Sequence, residues 1–313
     1  MVTGIFYWLK ADAGWITSLP AILVSQYLIS IHWQDAKFGT IANIALLIIA
    51  LTGFANWKFK NTYLIKRKEG FDLKSTPVDL LTQQDLLPLP LIIRKYIEYT
   101  GAIGKPKINN LEARFKAHIR SYHAKEWIIL NVIQNNFIDP SRRLFYMSGT
   151  MKHLPVAGLH LYKDGKAKMD IRLFSAYKVQ YQDGPEMDTA ETVTIFNDMC
   201  CLAPASLIDP RIQWGETNDQ SIKASFTNQG ITIHAILYFN NEGRLINFKS
   251  KDRYARQEDG SMKLMTWSTP LANYMDYHGY RLAQNGKAMY TYPDGDFCYG
   301  EFELTEINYN LSK

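Results

Sequence analysis

Three carboxylates lie within a short stretch of the sequence, at Glu186, Asp188 and Glu191. Neighbouring carboxylates perform general acid–base catalysis when their surroundings separate their pKa values, and carboxylate oxygens also bind cations. The same residues fit the start of a helix, because Asp188-Thr-Ala-Glu191 has the spacing of a capping box. We interpret them mainly as a helix cap, and a cation or catalytic site is the alternative.

Further polar residues extend this candidate site. Asn197 and Asp198 follow on the same predicted helix, and His160 flanks a loop that can meet the carboxylates in space. The sequence therefore nominates the following ligand-binding residues without assigning a catalytic role to any of them: Glu186, Asp188, Glu191, Asn197, Asp198 and His160.

Other chemistries lack a signature in the sequence. Cys200 and Cys201 have no histidine near them, so we expect buried structural thiols rather than a nucleophile. The seven histidines show no paired zinc-site spacing, and neither a Gly-x-Ser-x-Gly elbow nor a glycine-rich phosphate loop occurs. We expect no metal and no cofactor. The net charge of +5 is modest and concentrated in one stretch, so nucleic acid is not an expected partner.

Two apolar segments near the beginning of the sequence have the length of membrane spans. Residues 39–57 carry no charge and reach across a hydrocarbon core of roughly 30 Å, with Trp57 placed as an interfacial residue. Residues 15–33 also lack charge and are flanked by tryptophans, although they contain Pro20. We predict transmembrane helices over both ranges. The alternatives are a buried core helix for 39–57 and an interfacial helix for 15–33.

The charges beside these segments predict their orientation. Only Lys37 lies between the two segments, whereas six basic residues follow the second one: Lys58, Lys60, Lys66, Arg67, Lys68 and Lys74. Basic flanks stay in the cytoplasm. We therefore predict a hairpin over residues 1–57, a basic juxtamembrane linker over 58–76 and a large domain on the cytoplasmic side. We also expect the chain after residue 75 to fold without the hairpin.

The remainder, residues 77–313, has the pattern of a β-rich domain. A short helix is predicted at Leu91–Tyr99, and one amphipathic helix begins at Asp188. Period-two alternation of apolar and polar residues, with short turns between successive segments, predicts antiparallel strands over 111–119, 167–173, 222–226, 231–239, 245–254, 281–290 and 299–309. We predict a mainly β fold, in which a curved antiparallel sheet encloses one packed helix and follows the transmembrane hairpin and short helices.

Several short blocks within about residues 85–310 resemble a bacterial family of unknown function. They are Leu89-Pro90 with Arg94–Ile97 and Thr100-Gly101, Leu154–Leu159, Gly184–Asp188 with Glu191, Phe196–Cys200 through Ala203-Pro204, and Pro293–Phe297. The resemblance implies a curved antiparallel half-barrel of the lipoprotein-carrier type and assigns no catalytic residue. Carriers of that type work in the periplasm, whereas the basic flank here predicts the cytoplasmic side of the bacterial inner (cytoplasmic) membrane.

Two functions from different classes follow from these features. The first is a membrane-anchored protein that binds a lipid or another apolar ligand in a cavity of the curved sheet, and we prefer it. The second is a hydrolase-like or cation-dependent enzyme that uses the acidic cluster Glu186, Asp188 and Glu191 near the membrane. The expected partners are the lipid bilayer and an apolar small molecule or lipid, and the sequence does not identify a protein partner.

Overall fold

The computed structural model describes residues 14–72, 79–122, 124–257 and 259–312. Its centre is one antiparallel sheet of thirteen strands, curled into a half-barrel, as the sequence predicted. The spatial order of the strands is β6-β5-β4-β3-β2-β1-β13-β12-β11-β10-β9-β8-β7. All pairings therefore join strands that are consecutive in the sequence, except the pairing of β1 with β13. That pairing joins two meanders into one sheet.

The strands have the following bounds: β1 Asn110–Ile119, β2 Ile128–Phe137, β3 Arg142–Met151, β4 Leu154–Lys163, β5 Lys166–Leu173, β6 Tyr177–Gln182, β7 Ile212–Thr217, β8 Ser221–Asn228, β9 Ile231–Phe239, β10 Leu245–Arg256, β11 Met262–Tyr277, β12 Tyr280–Tyr292 and β13 Gly295–Tyr309. The alternating pattern located β1, β5, β8, β9, β10, β12 and β13 to within a few residues. The alternation had not singled out β2, β3, β4, β6, β7 and β11.

The described residues also form six α-helices: α1 Gly14–Ile31, α2 Trp33–Ala36, α3 Gly39–Phe71, α4 Gln83–Leu86, α5 Leu91–Tyr99 and α6 Pro185–Leu202. A 3-10 turn, Pro204–Ile208, follows α6. The predicted bounds of α5 are confirmed. A capping box does occur, at Thr82 and Asp85 before α4.

Helices α1 and α3 are long and apolar enough to cross a membrane, judged by length and composition. They pack side by side, and the side-chain amide of Gln26 bonds to Thr40 and Asn43 at 3.2 and 3.0 Å. Most of their apolar side chains are exposed on the outside of the helix pair. A core helix of a water-soluble domain would be buried, so the alternative reading of 39–57 as a core helix is wrong.

The prediction of a linker directly after the membrane segment is also wrong for most of its length. Helix α3 continues without a break to Phe71 and lies against the outer face of β2, β3 and β4. Phe59 and Tyr63 are buried there, and the Tyr63 hydroxyl donates to Asn135 Oδ1 at 2.6 Å. The basic residues of this stretch are therefore on a packed helix, and Arg67 forms an ion pair of 2.8 Å with Glu112.

Helix α6 packs on the opposite, concave face of the same sheet. Its buried residues join α4, α5, the 3-10 turn and the strands β7 to β13 in the main hydrophobic core. Phe196 stacks on Phe226 with ring centres 5.4 Å apart and meets Phe248 edge-on at 5.6 Å. Successive side chains of a strand point to opposite faces of the sheet. The position of a residue in its strand therefore shows whether its side chain is on the face of α3 or on the face of α6.

Candidate functional site

Asp188 contacts the sheet and does not cap the helix. Helix α6 begins at Pro185 with Gly184 as its N-cap, so the predicted capping box is wrong. Asp188 is buried one turn inside, where its Oδ1 accepts a hydrogen bond of 2.7 Å from the backbone N–H of Ala167. Its Oδ2 accepts a second bond, of 2.9 Å, from Lys166 Nζ. Asp188 thereby fastens the first turns of α6 to the start of β5.

The centre of the concave face is an ion-pair network built on Arg143 of β3. Its Nη1 lies 3.1 Å from Glu191 Oε2, and its Nε lies 2.8 Å from Asp198 Oδ2. All three side chains are buried. Glu191 and Asp198 are about two turns apart on α6, so one guanidinium fork holds two levels of the helix against the sheet.

Neutral amides complete the surroundings of Asp198. Gln134 and Asn136 of β2 donate to Asp198 Oδ2 at 2.8 and 2.9 Å. They point to the same face because they are two residues apart on one strand. The carboxylate oxygen thus accepts three hydrogen bonds, including the one from Arg143.

A second arginine, Arg253 of β10, lies on the other side of Glu191. Its Nη2 is 4.0 Å from Glu191 Oε1, and its Nη1 donates to the carbonyl of Ala190 at 2.6 Å and to the Thr194 hydroxyl. The guanidinium also lies 4.6 Å from the ring centre of Trp267. Arg253 therefore joins the opposite wall of the half-barrel to α6.

The network sets the pKa values of the two buried acids apart. Burial favours the neutral acid, but the charges of Arg143, His160 and Arg253 outweigh burial at Glu191 and hold its pKa below its usual range. Burial prevails at Asp198, where Arg143 and Asn136 offset it only in part, so the pKa of that carboxyl is raised.

The six nominated residues do not form one site. Glu191, Asp198 and His160 come together, with His160 Nδ1 3.7 Å from Glu191 Oε1. Glu186 is exposed, and Asp188 has other partners. Asn197 is buried and accepts a contact of 3.6 Å from Cys201 Sγ.

Sequence reasoning missed the residues that organise this network, namely Arg143, Arg253, Gln134 and Asn136. The sequence feature that these four residues share is that each is a polar residue whose side chain points to the concave face of a strand. That feature can be recognised only when the strand register is known. Among the described residues, no group of three or more His, Cys, Asp or Glu side chains is arranged to hold a metal ion. Each buried charge has a partner of opposite charge, so the network holds α6 on the sheet.

An apolar cluster occupies the rest of the concave face beside this network. Every member comes from a strand, and we call the set the strand cluster. It consists of Ala117, Leu130, Val132, Phe145, Met147 and Val156, with Phe115, Ile119, Ile128, Met151, Ile171, Leu173 and Phe302 packed around them.

The alternation of side chains along each strand places the strand cluster on the same face of the sheet as α6. Phe145 and Met147 are two and four residues beyond Arg143 on β3, so they share its face. Phe145 also joins the cluster to the network, since Arg143 lies 4.7 Å from its ring centre and the His160 ring lies 5.8 Å away. On strands β1 to β5, the concave face therefore has the ion-pair network under α6 and an apolar half formed by strands alone.

The contacts of α3 show which end of the strands carries the apolar half. Asn56, at the end of the apolar run of α3, accepts a hydrogen bond of 3.1 Å from Ser175 in the β5–β6 turn. Phe71, at the other end of α3, contacts Phe137 at the end of β2. At 1.5 Å per residue these levels are roughly 20 Å apart. Leu173 of the strand cluster directly precedes the β5–β6 turn, so the cluster lies at the level of Asn56.

Two surface grooves lie elsewhere on the molecule. One, of about 730 Å³, runs along the outside of α1 beside Val24 and Leu28. The other, of about 670 Å³, lies on the outer face of β7 to β10 beside Trp214 and Tyr238. The strand cluster itself is closed by its own side chains, including Phe302, which meets Phe115 and Phe145 edge-on at 6.2 and 6.3 Å.

Comparisons with known proteins identify a family but no activity. The model of the Family of unknown function (DUF6544) matches residues 79–302. No curated protein matches the chain. Among solved structures, a DUF1329 family protein from Desulfovibrio piger shares 6% identity, with 71% of this chain and 92% of that chain covered and a TM-score of 0.41. A LolA superfamily protein from Nitrosomonas europaea shares 8% identity, with 71% and 93% covered and a TM-score of 0.37. These likenesses concern the fold alone.

Proposed function

Since the chain belongs to the Family of unknown function (DUF6544), for which the comparisons give no activity, we propose a function from its own geometry. The protein is a membrane-anchored binding protein that holds a lipid or another apolar ligand against the strand cluster. One observation carries this proposal. The apolar half of the concave face is formed by strand side chains alone and lies at the end of the sheet where α3 leaves the domain.

The exposed apolar surface of α1 and α3 supports membrane anchoring. Side chains such as Leu23, Tyr27 and Ile41 lie outward along the two helices. Exposed apolar surface costs about 25 cal/mol per Å² in water, and a bilayer core removes that cost. Both helices therefore span the membrane, and the part of α3 that follows the span packs directly on the domain.

The strand cluster has the properties of an adaptable ligand surface. Its buried side chains pack only against other strands, so an acyl chain can replace these contacts with equivalent ones of its own. Met147 and Met151 are flexible and fill irregular space, which favours reversible opening. The ion-pair network closes the far end of the concave face, and a ligand thus enters from the end near the membrane.

The alternative of an enzyme at the acidic cluster receives no support from these contacts. Glu186 is exposed and apart from the other two residues. Asp188 accepts hydrogen bonds at both oxygens, and Glu191 is paired with Arg143. A general acid or base needs a carboxyl that a substrate can reach, and neither buried residue offers one.

Photo-crosslinking in nanodiscs tests the proposal. The full-length protein is reconstituted with a phospholipid that carries a diazirine in its acyl chain, and cross-linked peptides are identified by mass spectrometry. We expect cross-links on α1 and α3, which contact bulk lipid, and in addition on β2, β3 and β5. The double variant Ile171→Gln/Leu173→Gln should lose about tenfold or more of the strand cross-links, because each amide would meet an acyl chain without a hydrogen-bond partner.

The cross-links on α1 and α3 serve as an internal control for reconstitution. Ile246→Gln/Leu264→Gln is the matched control variant, because both residues are exposed and lie outside the strand cluster. Binding at the strand cluster is refuted if wild-type protein cross-links only through α1 and α3. It is equally refuted if both double variants retain the strand cross-links at the wild-type level.

A further inference from the structure

The turn between β5 and β6 lies at the level of the membrane interface. Its Ser175 hydroxyl bonds to Asn56, which is next to Trp57 on α3. Trp57 forms an aromatic group with Trp15 and Phe54, with ring centres 5.5 and 6.0 Å from its own. Tryptophans of this kind mark the boundary between hydrocarbon and headgroups. The β5–β6 turn is therefore held at headgroup depth by a direct contact.

Large apolar side chains are exposed around this turn. Tyr177 at the start of β6 is 72% exposed, and Phe174 in the turn is 39% exposed. The neighbouring strand ends add Ile129, which is 62% exposed, and Leu154. Ile129 pairs with Thr150 near the end of β3, and Leu154 begins β4, so both lie at the same end of the sheet. We call these four residues the rim.

A second aromatic group lies at this end, where β1 leaves the sheet. Tyr122 stacks on Tyr292 with ring centres 3.7 Å apart and meets Phe297 edge-on at 5.2 Å. Arg120 lies 4.8 Å from the Phe297 ring and 4.3 Å from that of Trp127. Aromatic rings with polar tips beside a guanidinium are typical of surfaces that rest on headgroups.

We propose that the rim and this aromatic group rest on the bilayer surface, so that the strand cluster faces the membrane directly when a ligand parts the side chains that close it. The inference rests on the proposed function and adds the route by which the ligand enters: it passes from the bilayer to the strand cluster without crossing water. The occupant of the rim is the headgroup layer of the same membrane that holds α1 and α3. Lys152 and Lys178 are exposed beside the rim, which suits anionic headgroups.

Fluorescence quenching by spin-labelled lipid tests this contact. Single cysteines are placed at Tyr177 and Ile129 in the rim and at Asp164, an exposed residue of the β4–β5 turn at the other end of the strands. The background is Cys298→Ser, and Cys200 and Cys201 stay because both are buried. Each full-length variant carries an environment-sensitive dye in vesicles of phosphatidylethanolamine and phosphatidylglycerol that contain phospholipid with a nitroxide near the headgroup.

We expect loss of emission and a blue shift for the labels at Tyr177 and Ile129, and neither change for the label at Asp164. Both rim residues are largely exposed, so their substitution leaves the fold intact. Rim labels that stay unquenched would overturn the inference and show that the rim faces water or another protein. The readout needs no bound ligand. Strand cross-links without quenching would leave the proposed function standing, whereas quenching without strand cross-links would refute ligand binding and preserve the membrane contact.

Discussion

At the scale of the residue, Asp188 and Glu191 lie one turn apart on α6 and bind different parts of the sheet. Asp188 accepts a backbone N–H and a lysine from the start of β5. Glu191 pairs with Arg143 of β3 and faces Arg253 of β10. The first carboxylate positions the beginning of the helix, whereas the second balances two arginines that come from opposite walls of the half-barrel.

Asp188→Ala should lower the free energy of unfolding by about 1–3 kcal/mol, because the buried N–H of Ala167 loses its acceptor. Glu186→Gln is the matched control, and its effect should stay within about 0.5 kcal/mol, since Glu186 is exposed. Chemical denaturation of the full-length protein in mild detergent measures both. Equal losses in the two variants would contradict the contacts of Asp188.

Glu191→Gln should reveal how the network depends on pH. The pKa of Glu191 lies below its ordinary value of 4.5 when the protein is folded, so the ionised form stabilises the fold above pH 4.5. This contribution is lost as the pH falls from 4.5 towards the folded pKa. At neutral pH the variant should be about 3–5 kcal/mol less stable than wild type, because Arg143 loses a buried partner.

The difference between wild type and Glu191→Gln should then shrink below pH 4.5. Denaturation curves at neutral pH and at several acidic values give this difference directly. Asp198 titrates in both proteins, and the charge of Glu191 contributes to its raised pKa, so the two curves are fitted with a separate Asp198 pKa for each protein. A difference that stays constant down to acidic pH would show that Glu191 is not ionised in the folded protein.

At the scale of the element, α3 has two roles: its apolar first half is the membrane span that we propose, and its second half is a part of the domain. Its second half covers the outer face of the sheet through Phe59 and Tyr63, which pack with Leu144 and Tyr146. The ring of Tyr63 stacks on that of Tyr146 with centres 5.2 Å apart. We therefore propose that the domain begins near residue 58, so that the chain after residue 75 lacks a part of the domain, in contrast to the expectation from the sequence.

Two deletions separate these roles of α3. Removing residues 1–57 should give a water-soluble domain that unfolds cooperatively, because Phe59 and Tyr63 remain. Removing residues 1–72 should expose Leu144 and Tyr146 and leave Glu112 without Arg67. Burial of one such aromatic side chain contributes about 1.5–3 kcal/mol, so the shorter product should aggregate or lose several kcal/mol of stability. Size-exclusion chromatography and thermal melts compare the two, and equal behaviour would show that the second half of α3 is dispensable.

At the scale of the whole molecule, the helical hairpin and the half-barrel are joined by one continuous helix and by the bond between Asn56 and Ser175. With α1 and α3 in the membrane, as we propose, this joint determines which end of the sheet faces the bilayer. The far end is closed by the core around α4, α5 and α6, and the near end carries the strand cluster. The side of the membrane on which the domain lies is a separate question, which the charges beside α3 address.

We predict that the domain is cytoplasmic, because Lys58, Lys60, Lys66, Arg67 and Lys68 follow the span and Lys37 alone lies between the helices. A reporter fused after Lys313 should be active only in its cytoplasmic form. Residue Tyr309 pairs with Leu111 at the far end of the sheet, so a fusion there is clear of the membrane. A reporter inserted beside Lys37 is the control and should report the opposite compartment. Periplasmic activity of the C-terminal fusion would reverse the orientation.

Features that depend on near neighbours in the chain could be predicted from the amino-acid sequence alone. Alternation along Leu111–Ile119 and Ile231–Phe239 located strands, because a strand buries one face with period two. The apolar run after Gly39 predicted a membrane span because its length matches a bilayer core, and a helix long and apolar enough to cross a membrane lies there. Short turns between successive strands predicted antiparallel pairing, and from these local features a curved sheet around one helix followed, whereas the half-barrel was implied by the family resemblance.

Which distant residues contact each other became known only from the folded structure. Arg143 binds Glu191 and Asp198 across 48 and 55 positions of the chain, and Tyr63 binds Asn135 across 72. No local periodicity in the sequence predicts such pairs, because they form only when a helix packs on the sheet. The Arg143 pairs, for example, form when α6 packs against β3. The same reason explains why Glu186 and Glu191, alike in the sequence, became an exposed and a buried carboxylate. It also explains the strand cluster, because strands as far apart as β1, β5 and β13 come together only when the sheet closes β1 onto β13.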